Sequence, residues 1–303
     1  MGNARTALLA WLAARLGGAP FVMRIEDLDR ARVVPGAEAA LLEDLTWLGL
    51  DWDEGPDRGG PHAPYRQSAR AAAYDAAIER LLRMGRAFPC ACSRAEIARA
   101  ASAPHDENDE GPRYPGTCRG RPRAEIEARA REQGRAPAIR FDGRAEPMPF
   151  TDEVHGPVDP LAAAGIDDFV LRRADGGAAY QLAVVVDDAA MGIEEVVRGD
   201  DLLRSTPRQL ALFRALGLQP PAYAHVPLLL SSGGERMAKR TRPPAVAELR
   251  LAGTDPDEVV GRLAASAGFG EAGEAITCRA LVARLGSRAS LWTGLRRAPA
   301  IWS

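Results

Sequence analysis

Three carboxylates and two arginines fall within seven residues in Arg24-Ile25-Glu26-Asp27-Leu28-Asp29-Arg30. Such groups accept from an ammonium or pair with an anion. The apolar run Phe21-Val22-Met23 precedes them, after Gly17-Gly18 and Pro20. It reads as a buried strand following a helix. In open α/β sheets, ligands bind beyond the carboxyl ends of the strands, which is where this cluster would lie. Taken alone, it reads first as a solvated turn with local ion pairs.

Further polar groups follow other apolar runs. Asp187-Asp188 closes the run 180–186, and Arg198-Gly199-Asp200-Asp201 closes 193–198. Lys239 is the single lysine among 39 basic residues. A compact, flexible ammonium does a different job from a planar guanidinium, so that position is a candidate for one arginine cannot fill. The spacing Cys90-Ala91-Cys92 with Cys118 and a distant Cys278 does not form a disulfide framework. It suits a reducing cytoplasm, and Cys278 reads as a packed thiol.

The 303 residues are 46% hydrophobic and 26% charged, as expected of a soluble globular protein of two or three domains. The net charge of −2 excludes a global basic field, so a nucleic-acid partner would need a local basic face. No apolar run approaches the ~20 residues that span a membrane, and no signal peptide opens the chain.

Elements that must position these groups follow from pattern. Residues 3–16 form a helix with Leu8, Trp11 and Leu12 on one face and Gly17 as its stop. A second helix covers 36–48, with Ala39, Leu42, Leu45 and either Trp47 or Leu48 inward. A third covers 67–84, ended by Gly85. The β/α alternation predicts an α/β fold with a parallel sheet. The middle third reads as a separate α+β insertion. It has a strand at 86–89, a capping box at Ser93-Arg94-Ala95-Glu96, an acidic loop at 103–113, a helix at 124–133 and strands at 138–141 and 168–171. Runs 180–186 and 193–198 read as further strands. A helix starts at Ser205-Thr206-Pro207, a strand covers 226–230, and Ser231-Ser232-Gly233-Gly234 is a flexible loop before a mostly helical tail.

Several pieces then line up in order. They are Gly2-Asn3-Ala4-Arg5-Thr6-Ala7, Arg24-Ile25-Glu26-Asp27-Leu28-Asp29, Asp168-Phe169-Val170-Leu171-Arg172, Tyr180-Gln181-Leu182-Ala183 through Asp187-Asp188, Val197-Arg198-Gly199-Asp200-Asp201, and Met237-Ala238-Lys239-Arg240. Together they resemble the glutamyl-tRNA synthetase group of class I aminoacyl-tRNA synthetases, over roughly residues 1–245. The resemblance implies a Rossmann-type catalytic domain split over 1–86 and 180–242. It implies an inserted α+β subdomain with a zinc site at 87–179 and a helical C-terminal region at 243–303.

It also implies ATP-dependent activation of glutamate. Gly2 and Asn3 would face the nucleotide. Lys239 would be the catalytic phosphate clamp. Glu26, Tyr180 and Arg198 would line the glutamate pocket. Asp187 and Asp188 would position ribose, amino acid or Mg²⁺. Arg236, Ala238 and Arg240 depart from the family's Lys-Met-Ser-Lys-Ser pattern, and Ala238 loses a hydroxyl that could meet phosphate.

The short chain and the spacing Cys90-x-Cys92 … Tyr114-x-x-x-Cys118 resemble the family's short paralogues. Those place glutamate on the queuosine base of the tRNA(Asp) anticodon, and their zinc ligands would correspond to Cys90, Cys92, Tyr114 and Cys118. His105 is a conventional alternative to Tyr114, and unliganded thiols are the plain alternative to zinc. Competing readings are charging of the 3′ end of tRNA(Glu), an inactive tRNA-binding module, and a generic nucleotidyltransferase. A cytoplasmic monomer is expected. The family pattern has a strand with Arg-x-Ala-Pro-Ser-Pro-Thr-Gly and His-x-Gly-Asn before the first helix, and we expect the reading frame upstream of Met1 to encode it.

Overall fold

A computed structural model describes residues 1–29, 33–100, 113–144, 146–159, 165–229 and 245–297. Lys239, His105, Arg30 and the 231–234 loop lie outside the described residues.

The first helix, α1 (Gly2–Gly17), buries Leu8, Leu9, Trp11, Leu12 and Ala13. It stops at Gly18, whose φ of 65° gives the left-handed cap glycine adopts without strain. The helix α2 (Ala37–Trp47) follows. It turns Leu45 into the core, with Leu48 just past its end, and leaves the expected Ala39 exposed. The third expected helix is a 3-10 turn at Gln67–Ala69 followed by α3 (Ala71–Arg83). Next come β1 (Ala87–Cys90), α4 (Arg94–Ala100), α5 (Arg123–Glu132), β2 (Ala138–Phe141), β3 (Phe150–Asp152), β4 (Gly156–Val158) and β5 (Val170–Arg172). The capping box forms as expected, with Glu96 N–H donating to Ser93 Oγ at 3.2 Å and Ser93 N–H to Glu96 at 2.6 Å.

The chain continues through α6 (Tyr180–Ala190), β6 (Glu195–Gly199), α7 (Thr206–Leu216) and β7 (Ala222–Val226). It closes with α8 (Val246–Leu251), α9 (Pro256–Ser266), α10 (Cys278–Leu285) and α11 (Arg288–Arg297).

Two sheets result. One has the order β1-β2-β5 and is antiparallel. It shares a core with Tyr74, Ile78 and Leu81 of α3, Leu182 to Val185 of α6 and Leu212 and Phe213 of α7. The other has the order β4-β3-β7-β6, with β3, β7 and β6 parallel and β4 antiparallel at one edge. Its Val197, Ala224 and Val226 face α1 and the C-terminal helices, whose Val259, Leu263, Leu281 and Leu291 share that core. Buried Arg5 fastens the layers: Nη1 donates to Pro227 O at 2.6 Å and Nε to Ser266 Oγ at 3.2 Å. Burial lowers the Arg5 pKa to about 10.

Three expected strands change. Residues 21–25 are extended, but they bridge two partners in turn. Met23 N–H reaches Glu54 O and Ile25 N–H reaches Tyr65 O, each at 2.8 Å. One bridge to each of two segments is not a ladder. The run 180–186 is α6. A short apolar run does not distinguish a strand from a buried helix by pattern, and here it is enclosed by the first sheet, α3 and α7. The last strand lies four residues earlier than expected, because Pro227 has no N–H to continue it.

Candidate functional site

A cleft of about 2010 Å³ lies between α1, the extended segment and the end of β6. Gly2 and Asn3 at the start of α1, Arg24, Glu26, Asp188 and Gly199 are among its walls. A Cβ built on Gly2 would meet nothing within 4 Å, so backbone there is open to close approach.

At the cleft wall Arg24 gathers the acids. Nη1 donates to Asp188 Oδ1 at 2.7 Å and Nη2 to Glu26 Oε1 at 3.1 Å. Burial opposes the Arg24 charge, but Asp188 and Glu26 outweigh it and raise its pKa. Burial raises Asp188 against the pull of Arg24. The Glu26 side chain is 42% exposed, so a carboxylate oxygen faces the cleft beyond its pair. Asp27, also on the cleft wall, accepts from Ser68 N–H at 2.8 Å and Ser68 Oγ at 2.5 Å, so both its oxygens are engaged. Asp187 is enclosed. It accepts from Arg70 Nε at 2.5 Å, Tyr74 OH at 2.8 Å and Gln67 Nε2 at 2.9 Å. It therefore holds α6 to α3 and has no oxygen facing the cleft.

The register of β6 and β7 pairs Val196 with Tyr223 and Arg198 with His225. Strand alternation places Tyr223, His225 and Arg198 on one face. Arg198 is 9% exposed. Its Nε donates to His225 Nε2 at 3.1 Å and Nη2 to Thr206 Oγ1 at 2.9 Å, and its guanidinium lies over the Tyr223 ring at 5.0 Å. Nη1 reaches Tyr180 OH at a long 3.4 Å. Tyr180 is the first residue of α6, and burial raises its hydroxyl pKa. Tyr180 and Arg198 are thus brought together, with Glu26, Arg24 and Asp188 close enough to act on the Tyr180 hydroxyl. The Tyr223 hydroxyl is buried without a hydrogen-bond partner among the described residues.

Sequence reasoning missed Tyr223, His225, Thr206 and Asp152. Asp152, Tyr223 and His225 are signalled only by strand register, and Thr206 only by where α7 begins, neither of which marks a site in the sequence.

The cysteines converge at a second place. The sulfurs of Cys90, Cys92 and Cys118 lie within 4.8 Å of one another, all buried. Cys92 and Cys118 Sγ are 3.6 Å apart. The Tyr114 oxygen lies 3.4 Å from Cys90 Sγ and 3.8 Å from Cys92 Sγ, and accepts from Cys118 N–H at 2.8 Å. Zn–S bonds of about 2.3 Å in a tetrahedron put sulfurs roughly 3.8 Å apart, so the donor set fits a closed metal site. The Arg140 guanidinium stands over the Tyr114 ring at 4.1 Å, a cation beside a set that is anionic when metal-bound. The three cysteines can hold a metal.

A cleft at the end of parallel strands, walled by a helix start and a cluster of fixed charges, is the arrangement of a class I tRNA synthetase catalytic domain. The family profile "tRNA synthetases class I (E and Q), catalytic domain" matches residues 1–280, and the chain belongs to that glutamate and glutamine family. It is 56% identical over 271 residues to the glutamyl-Q tRNA(Asp) synthetase of Symbiobacterium thermophilum, covering 89% of this chain and 83% of that protein. It is 46% identical over 265 residues to glutamate–tRNA ligase 1 of Halorhodospira halophila, covering 87% of this chain and 55% of that one. Among solved structures, a glutamate tRNA ligase from Elizabethkingia meningosepticum, in complex with its amino acid, superposes with a TM-score of 0.81 at 26% identity. All of this chain is covered, against 64% of that structure, so the chain spans just under two thirds of its length.

No helix among the described residues is long and apolar enough to cross a membrane.

Proposed function

We propose that the protein activates glutamate with ATP and transfers it to the queuosine base of the tRNA(Asp) anticodon. The observation that carries the glutamate reading is the contact of the Arg198 guanidinium with the Tyr180 hydroxyl, in electrostatic reach of Glu26. A cation for a carboxylate and an acceptor for an ammonium are what glutamate requires. Arg198 pairs with the carboxylate, Glu26 accepts from the ammonium, and the Tyr180 and Tyr223 hydroxyls are further donors. The choice of tRNA(Asp) is supported by the relative of similar length that bears that name.

Activation is attack of a glutamate carboxylate oxygen on the α-phosphorus of ATP, with pyrophosphate leaving. Two anions must be aligned, so positioning and charge stabilisation carry the catalysis. Backbone N–H groups at Gly2 and Asn3 favour phosphate at a helix start, and Lys239 offsets the charge that grows on pyrophosphate. Mg²⁺ would neutralise phosphate charge. The catalytic unit comprises 1–86 and 180–242, and 87–179 is the inserted subdomain, from which β3 reaches across to pair with β7 and carries β4 on its outer edge. The C-terminal region, 243–303, is helical over its described residues. The protein acts as a cytoplasmic monomer.

The deciding experiment supplies tRNA(Asp) carrying queuosine and tRNA(Glu) side by side, with labelled glutamate and ATP. Label is expected on tRNA(Asp) and absent from it when queuosine is missing. Charging of tRNA(Glu) alone would select the second reading, which the similarity to a glutamate–tRNA ligase favours.

The metal is zinc, held by Cys90, Cys92, Cys118 and the Tyr114 phenol as a structural site. Metal analysis of the purified protein is expected to give about one zinc per chain, and Cys90→Ser less than roughly half of that. Equal zinc in both would remove Cys90 from the ligand set.

A further inference from the structure

Arg198 does not hold its own orientation. Three of its faces are taken by neighbours: Nε by His225 and Nη2 by Thr206, which the proposed mechanism does not use, and the guanidinium plane by Tyr223. Behind His225 stands Asp152, fully buried on β3. Its Oδ2 lies 2.6 Å from His225 Nδ1. Its Oδ1 accepts from the backbone N–H of Val154 and His155, each at 2.9 Å.

The donors and acceptors allow one protonation pattern. Arg198 Nε always carries hydrogen, so His225 Nε2 must offer its lone pair. The Thr206 hydroxyl accepts from Arg198 Nη2, and its own hydrogen shares the Nε2 lone pair at 3.0 Å or turns to Leu202 O at 3.5 Å. The imidazole proton is then on Nδ1, where it points at Asp152. Burial pushes the His225 pKa below its ordinary range. Hydrogen bonds from His225 and from the backbone hold the Asp152 carboxyl low, against a burial effect that would raise it. Both directions agree with neutral imidazole beside carboxylate.

We propose that Asp152 and His225 are a positioning pair: Asp152 fixes the Nδ1–H tautomer of His225, and His225 thereby aims the Arg198 guanidinium at the substrate carboxylate. The inference rests on the reading of Arg198 as the glutamate ligand. The chain order hides the pair, since Asp152 and His225 are separated by 73 residues and meet only through the β3–β7 pairing.

Asp152→Asn tests it with almost no change of shape. The backbone N–H groups of Val154 and His155 keep the asparagine oxygen, so its amide nitrogen faces His225 Nδ1 and no longer accepts from the His225 backbone N–H, which reaches Oδ2 at 3.1 Å in the wild type. The imidazole proton must move to Nε2, where it meets the Arg198 Nε–H. The KM for glutamate is expected to rise roughly 10- to 100-fold, with the KM for ATP within about threefold.

The second measurement is the ¹⁵N spectrum of the histidines with Asp152 intact, which does not depend on the Asp152→Asn variant folding. His225 is assigned by the resonance that survives when His62, His105 and His155 are replaced by Gln. An Nδ1–H, Nε2-bare signature is expected. An Nε2–H or doubly protonated ring overturns the proposal. So does Asp152→Asn raising both KM values alike, or neither, while Arg198→Lys still raises that for glutamate. If Arg198→Lys leaves the KM for glutamate unchanged, the glutamate reading itself falls.

Discussion

Arg198→Lys is expected to lower kcat/KM for glutamate by about 100- to 1,000-fold, roughly 2.7–4 kcal/mol. The charge is kept, so the loss isolates shape. The guanidinium donates in two directions while its plane covers the Tyr223 ring, and its remaining nitrogen is turned to Tyr180. An ammonium is a point charge with three donors on one atom. It cannot reach His225, Thr206 and a substrate carboxylate together, and it gives up the stacked face. Glutamate-dependent ATP–pyrophosphate exchange measures the effect. The KM for ATP should move by less than about threefold, because no nucleotide contact is altered. A lysine variant with near wild-type glutamate kinetics would show that the carboxylate is held elsewhere.

The largest stability effect belongs to Asp187→Ala, which should cost about 3–5 kcal/mol. Asp187 is fully buried, with Arg70 at 2.5 Å, and the Arg70 side chain is only 9% exposed. Removing the carboxylate leaves that guanidinium with two backbone carbonyls, Pro64 O at 3.2 Å and His62 O at 3.5 Å. Breaking a buried pair from one side is expensive because the other charge stays behind. Tyr74 and Gln67 lose their acceptor at the same time. Thermal unfolding should show the midpoint lower by roughly 6–15 °C. A fall of under about 2 °C would mean that the junction of α3 and α6 does not depend on this carboxylate.

The contrast between Asp187 and Glu26 shows how much of the site was legible. Glu26 stands in a run of acids and arginines and Asp187 in an acidic pair after an apolar run, and the chain alone left Asp187 open among ribose, amino acid and Mg²⁺. Its neighbours Gln67, Arg70 and Tyr74 lie on the turn before α3 and on α3 itself, more than 100 residues away in sequence. No local pattern encodes that meeting. The helix α1 was legible because its buried face repeats at the helical period and a glycine ends it. The capping box at Ser93 was legible because both partners lie three residues apart. The strand reading of 180–186 failed because valines there are enclosed by other elements, and tertiary burial overrides a modest β preference.

By itself, then, the amino-acid order determined what depends on near neighbours and on motif spacing. That covers the helices α1 and α3, the resemblance to the glutamate synthetase family, the cysteine spacing with Tyr114 or His105 as candidate fourth ligand, and Glu26, Tyr180 and Arg198 as candidates. Only the tertiary structure decided which charges are enclosed and which face the cleft, and how Arg198 is held. That orientation comes from Asp152 and His225, brought beside Arg198 by the register of three parallel strands, and from Thr206 at the start of α7. Register is a property of pairing between distant segments, so it exists only once the sheet has formed.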